Sequence, residues 1–139
     1  MYLLDTNVIS ELRRTRARPP HPRVARWAAA VPEEEIYLSS ITIFELELGA
    51  LQAAHRDPPK GTALRMWIDR QILPAFRERI LPVDALVAQR CAALHLPKTR
   101  SERDAFIAAT ALVHNFTVVT RNIADFASTG VLALNPWEA

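Results

Sequence analysis

Asp5, Glu45, Asp104 and Asp125 are the residues of this 139-residue chain whose types and spacing could do chemistry together. Asp5 follows the apolar opening Met1-Tyr2-Leu3-Leu4, and Asp125 lies just after Val118-Val119-Thr120. Glu45 and Asp104 each fall three residues past a hydroxyl, Thr42 and Ser101, where helical periodicity begins. Carboxylates gathered in one place repel, and one or more rises in pKa unless a cation neutralises them. The simplest neutraliser is Mg²⁺ or Mn²⁺, which prefers oxygen ligands and is commonly held by one or two carboxylates plus substrate phosphates. Thr6, Asn7, Ser10 and Asn122 would support such a rim with hydroxyls and amides, whereas the 4 His and 1 Cys have no zinc-ligand spacing. The matched chemistry is metal-assisted phosphodiester hydrolysis. A water whose pKa the cation lowers attacks phosphorus in line, and the cation offsets charge on the phosphate and the leaving oxygen.

Short apolar strands alternating with amphipathic helices would position these groups. Met1 to Leu4 reads as a strand that delivers Asp5 to a sheet edge, followed by a helix from about Asn7 to Arg14. Prolines break the chain before a second helix over Pro22–Ala30. Glu35 to Ser40 is the second strand, and Thr42 is the predicted N-cap of a helix to about His55. Asp57-Pro58-Pro59-Lys60-Gly61 is the longest loop signal, with a helix over Thr62–Phe76 beyond it. Ile80 to Val83 is a short strand, and Asp84 caps a helix through Leu96. Ser101 starts a helix that is apolar nearly all round and hence buried, Phe116 to Thr120 is a clear strand, and Val131 to Leu134 is the last. This alternation predicts an α/β fold with a mainly parallel central sheet and helices on both faces. In such a sheet, strand carboxyl ends and helix amino ends share one edge, and all four acids fall on it.

Each acid also has a purely structural explanation. Thr42-x-x-Glu45 and Ser101-x-x-Asp104 have the form of capping boxes, Asp5-Thr6-Asn7 that of an Asx turn, and Asp125 that of a surface acid. Four separate capping accidents need not share one edge with nothing basic among them. That shared edge favours a site, provided the strand order places the acids together.

Bulk properties narrow the classes. Half of the residues are hydrophobic and only 3 are Gly, which fits one compact domain with a real core. No apolar run approaches the roughly 20 residues of a membrane helix, and no charged segment precedes the opening apolar run, so a cytoplasmic protein is expected. Cys91 is expected to be a small core hydrophobe. A net charge of +2 excludes a uniformly basic nucleic-acid binder, yet six arginines and no acid lie between Arg13 and Arg26. Of these, Arg13, Arg14 and Arg16 are candidate RNA contacts.

Four blocks in order carry a resemblance: Leu3-Leu4-Asp5-Thr6-Asn7-Val8-Ile9-Ser10; Ser40 to Gly49 around Glu45; Asp104 to Ala111; and Val119 to Phe126 around Asp125. Together they resemble the PIN domain and, within it, toxin ribonucleases of the VapC and FitB type. The resemblance spans nearly the whole chain and implies a single PIN domain over residues 1–139, with a three-layer α/β/α fold. It also implies Mg²⁺- or Mn²⁺-dependent cleavage of RNA by the toxin of a type II toxin–antitoxin pair. Asp5, Glu45 and Asp104 match the family's three metal-holding acids, and Asp125 matches the fourth, more variable one. Asn122 stands beside it, where some relatives place an acid, and Thr6 matches the small polar residue after the first acid. The implied partners are an RNA substrate, a VapB-like antitoxin covering the acidic rim, and a second copy of the chain, with larger toxin–antitoxin assemblies built from these.

Lys98, Arg100 and Arg103 beside the third acid depart from the pattern and bear on substrate approach. Glu47, two positions from Glu45 on a helix, is expected to face away from it; Glu102 reads as a helix-start charge. A phosphatase with Asp5 as nucleophile would want a second Asp where Asn7 stands. The alternative from another class is a non-catalytic PIN-like module that binds RNA or a partner. Trp27, Trp67, Leu73 and Phe76 read as core by default, with a helical pair presenting Trp67 and its neighbours as the alternative surface for a dimer or an antitoxin.

Overall fold

A computed structural model describes residues 1–13, 15 and 17–139. The candidate contacts Arg14 and Arg16 lie outside the described residues. Strand β1 (Tyr2–Leu4) leads through Asp5 into helix α1 (Thr6–Leu12), followed by α2 (Pro22–Ala30) and β2 (Ile36–Ser39). Next come α3 (Ser40–Arg56) and α4 (Pro58–Trp67), which runs on through a π-helical turn (Ile68–Ile72) into the short α5 (Leu73–Ala75). The chain continues through β3 (Ile80–Leu81), α6 (Ala85–Leu94), α7 (Glu102–His114) and β4 (Thr117–Val119). A 3₁₀ turn (Ile123–Phe126) then leads to β5 (Ala133–Leu134).

The strands form one parallel sheet in the order β3-β2-β1-β4-β5. Successive side chains of a strand point to opposite faces, and here both faces are apolar because both are covered. Leu4 of β1 and Val119 of β4 pack with Val8, Val24, Leu46 and Ile68 from the helices on one side. Their neighbours Leu3 and Val118 pack with Ile107, Ala108 and Ala111 of α7 on the other. The result is the expected three layers. Among the described residues, no helix is long and apolar enough to cross a membrane.

The main departure lies between α3 and α4. The predicted loop Asp57–Gly61 shrinks to Asp57, whose carboxylate accepts from Lys60 N at 3.4 Å and caps α4. Pro58 and Pro59 occupy the first helical positions, where a missing N–H costs nothing. Gly61 is buried inside the helix, and a Cβ built on it would lie 2.3 Å from Ala54 Cα of α3. What reads as a turn glycine is therefore a close helix–helix contact.

Trp67 follows its default reading as a core residue, and the suggested partner surface around it is not formed. It is 8% exposed and belongs to the main core with Phe76, so it offers no surface to a partner; on this hairpin the exposed large apolar residues are Phe44, Leu51 and Met66. Cys91 is buried against α7, as expected of a small core hydrophobe.

Candidate active site

The strand order decides the geometry. From β1 the chain builds outward through β2 and β3, then crosses back to lay β4 on the opposite side of β1. A crevice opens at the carboxyl ends of β1 and β4, where the winding direction changes. Asp5 stands in it. Its N–H donates to Val119 O at 2.8 Å, tying the end of β1 to β4.

The Asp5 side chain is 7% exposed and accepts three hydrogen bonds. Thr6 N donates to Oδ1 at 2.8 Å, Thr120 Oγ1 to Oδ2 at 2.8 Å, and Asn7 Nδ2 to Oδ2 at 3.2 Å. Burial raises its pKa, the hydrogen bonds from Thr120 and Thr6 oppose the rise, and the charges of Glu45 and Asp125 add to it. Asp5 is thus the N-cap of α1, as the Asx reading had it. Its second oxygen is held from β4.

Glu45 lies in the second turn of α3 and points at the same crevice, since Thr6 Oγ1 donates to Glu45 Oε1 at 2.7 Å. The capping box proposed for it is not formed. Ser39 is the N-cap of α3 and accepts from Ile41 N at 3.0 Å, while Thr42 is fully buried with its hydroxyl 3.2 Å from that of Thr6. The box proposed for Asp104 is also absent: Ser101 stands at the N-cap of α7 and makes no side-chain cap bond. Asp104 is half-buried, and its carboxyl is pushed up to about 6, first by burial and then by the charges of Asp5, Asp125 and Glu45. Asp125 is exposed in the 3₁₀ turn after β4 and lines a cavity together with Asp104. Asp104 thus feels the charge of the other three acids and Asp5 that of Glu45 and Asp125, and capping accounts for only Asp5.

The supporting residues divide. Thr6 and Asn7 contact the acids directly, and Asn7 Oδ1 also accepts from Arg121 N at 3.2 Å. Asn122 serves through its backbone, donating to Thr120 Oγ1 and accepting from Asp125 N, both at 3.0 Å. Ser10 is exposed and lines a small cleft with Glu11 and Arg13, with no hydrogen bond between its hydroxyl and an acid among the described residues. Arg13 lies over the Trp67 ring, 5.8 Å from its centroid. Glu47 is paired with the guanidinium of Arg65 and so faces away from the crevice, and Glu102 is an exposed helix-start charge.

The expectation of nothing basic among the acids is corrected by Arg103, whose Nη1 is 3.6 Å from Glu45 Oε2 while its guanidinium lies over Phe44. From the sequence, Thr42 reads only as a cap and Thr120 only as a strand end, although a hydroxyl immediately after an apolar strand at this edge is the signal that marks Thr120.

The Asp104 shift has a consequence for stability. A raised carboxyl pKa means that the folded protein holds the proton more tightly than the unfolded chain, so stability falls as pH rises through about 6. In chelator, Asp104→Asn is expected to stabilise the protein at pH 7.5 by about 1 kcal/mol after solvent screening around a half-buried group, and to lose that advantage by pH 4. Denaturant melts of both proteins at the two pH values check this; equal stability at pH 7.5 would show that the acids do not strain one another.

Comparison with known proteins decides the family. The family model described as the PIN domain matches residues 2–132. The chain belongs to the PIN-domain family. It is 41% identical to the plasmid stability protein StbB of Pseudomonas syringae pv. tomato over 100% of both chains. It is 41% identical to the toxin FitB of Neisseria gonorrhoeae over 99% of both, and 37% identical to a VapC ribonuclease of Sinorhizobium fredii over 99% of both. The structure superposes on FitAcB from Neisseria gonorrhoeae with a TM-score of 0.88 at 39% identity, covering 100% of both chains.

The PIN-domain crevice offers a metal only oxygen donors. Among the described residues, no group of three or more His, Cys, Asp or Glu side chains is arranged as a ready-made metal cage. The donors suit a hard cation that keeps much of its water and takes one or two carboxylates at a time, which is how Mg²⁺ is usually held. The repulsion that raises Asp5 and Asp104 is what such a cation would relieve.

Proposed function

We propose that this PIN-domain chain, residues 1–139 taken as one domain, is the toxin of a type II toxin–antitoxin pair and an endoribonuclease dependent on Mg²⁺ or Mn²⁺. The observation that carries the nuclease reading is the convergence of Asp5, Glu45, Asp104 and Asp125 from separate elements on the β1–β4 crevice, three of them with no capping duty. When bound there, the cation would lower the pKa of an attacking water and neutralise charge on the scissile phosphate. Asp5 is fixed for this by three hydrogen bonds and Glu45 by Thr6, so the protein reorganises little as charge develops. Arg103, paired with Glu45 on a half-exposed side chain, would be placed to meet a substrate phosphate if a bound cation took over that carboxylate.

The toxin role rests on relatives named toxin and ribonuclease that match along the whole chain, and on solved neighbours that include FitAB bound to a DNA fragment. The partners are accordingly a VapB-like antitoxin and a second copy of the chain, with larger complexes built from both.

The test is cleavage of an end-labelled pool of varied RNAs by purified protein. Cleavage is expected with Mg²⁺ or Mn²⁺ and not in excess chelator. A folded protein that cuts no RNA with either metal, yet binds it, would establish the non-catalytic module instead.

A further inference from the structure

Of the four crevice acids, Glu45 alone has a cation partner among the described residues, and that partner is Arg103. Arg103 belongs to the first turn of α7, directly before Asp104, and its guanidinium spans to α3. A cation in a first turn opposes the helix dipole, so α7 gains nothing from this charge. On α3 it meets two groups. Nη1 stands 3.6 Å from Glu45 Oε2, and the guanidinium lies 5.0 Å from the centroid of the exposed Phe44 ring. Neither contact is strong: 3.6 Å is longer than a hydrogen bond, and both the ion pair and the cation–π contact are partly in water. The arginine is thus parked where it can leave.

It is parked on an oxygen that a metal would use. Thr6 Oγ1 donates to Glu45 Oε1 at 2.7 Å, whereas Oε2 has no hydrogen bond among the described residues. One guanidinium also leaves the crevice unbalanced. Asp5 and Asp104 stay raised by burial and by the charges of neighbouring acids. A divalent cation would relieve that repulsion more fully, but two cations at one carboxylate oxygen repel each other. Arginine and metal therefore compete for Glu45.

We propose that Arg103 is a built-in counter-ion that holds Glu45 against the divalent cation, so that metal loads fully only when an anion draws the arginine away. The proposal rests on the metal-dependent reading of the crevice and adds a control over its metal. Coupling of this kind is reciprocal: an anion that takes Arg103 tightens metal binding by the factor with which metal tightens the anion.

Metal binding without RNA tests it apart from cleavage. Mn²⁺ alone is titrated into the unsubstituted protein, Arg103→Gln and Arg103→Lys, with free Mn²⁺ read from its electron paramagnetic resonance signal. Arg103→Gln is expected to bind Mn²⁺ about fivefold more tightly, the factor that an exposed ion pair can withhold. Arg103→Lys keeps the charge and should stay close to the unsubstituted protein. Thermal melts in chelator are expected to differ little among the three. Mn²⁺ binding by Arg103→Gln that is unchanged or weaker would overturn the proposal, as would equal tightening by Arg103→Lys. An Arg103→Gln protein that melts far below the others in chelator would make the pair a structural clamp between α7 and α3, which overturns it too. Failure of the metal-dependent reading looks different: none of the three proteins would take up Mn²⁺, and the proposal would fall with it.

Discussion

An Asp5→Asn protein is expected to fold normally and to cleave RNA at least about 100-fold more slowly than the unsubstituted chain, a loss typical of removing one electrostatic contact to a reacting group. Asparagine keeps the shape of the side chain, and its carbonyl oxygen can still accept from Thr6 N, the bond that caps α1. The other oxygen becomes an NH₂ facing Thr120 Oγ1, whose hydroxyl can rotate to accept, and Asn7 Nδ2, which keeps only its longer contact with Thr120 Oγ1 at 3.5 Å. One lost hydrogen bond costs about 1 kcal/mol. Against that stands relief of a buried carboxylate whose pKa is raised by burial and by Glu45 and Asp125. In chelator the two nearly cancel, so thermal melts should differ little. Mg²⁺ should then raise the melting temperature of the unsubstituted protein much more than that of Asp5→Asn, because a ligand stabilises only the state that binds it. Cleavage at undiminished rate would remove Asp5 from the chemistry.

Gly61→Ala is expected to destabilise the fold strongly, although alanine is the better helix former by about 1 kcal/mol. The added Cβ would stand 2.3 Å from Ala54 Cα and 2.5 Å from Ala54 N, backbone atoms that cannot move without α3. Overpacking of this kind costs about 1–3 kcal/mol and occasionally more, and this contact is at the severe end, so a net loss of about 2 kcal/mol is expected. The melting temperature should fall by about 5–10 °C. Gly49→Ala is the matched control. Nothing lies within 4 Å of its added methyl, so the same change inside α3 should stabilise by up to about 1 kcal/mol. Equal melting temperatures for the two variants would mean that the α3–α4 contact is not as close as described.

Much of this protein is legible in its chain because local physics fixes it. The apolar run ending at Asp5, the all-round apolar pattern of Ala105 to Leu112 and the cap at Asp84 each follow from neighbours within a few residues, and each stands where expected. The acids at the reactive edge are legible for the same reason, since a parallel α/β sheet must deliver its strand ends and helix starts to one side.

Other features depend on residues distant in sequence, and only the packed molecule settles them. Pro58-Pro59 followed by Gly61 gives the same local signal whether it turns the chain or starts a helix. The approach of Ala54 decides, and that comes from α3 lying against α4. Trp67 reads as core by default, but its pattern also allows an interface, and only the sheet beneath it decides. Thr42 looks like a cap until Ser39 takes that role and Thr6 meets its hydroxyl. The Asp5 carboxylate is held by Thr120 from 115 positions away, and Glu45 by Thr6 from 39. A chain pattern can place acids on an edge. Which hydroxyls fix them and which arginine answers them are long-range contacts, and no local preference encodes those.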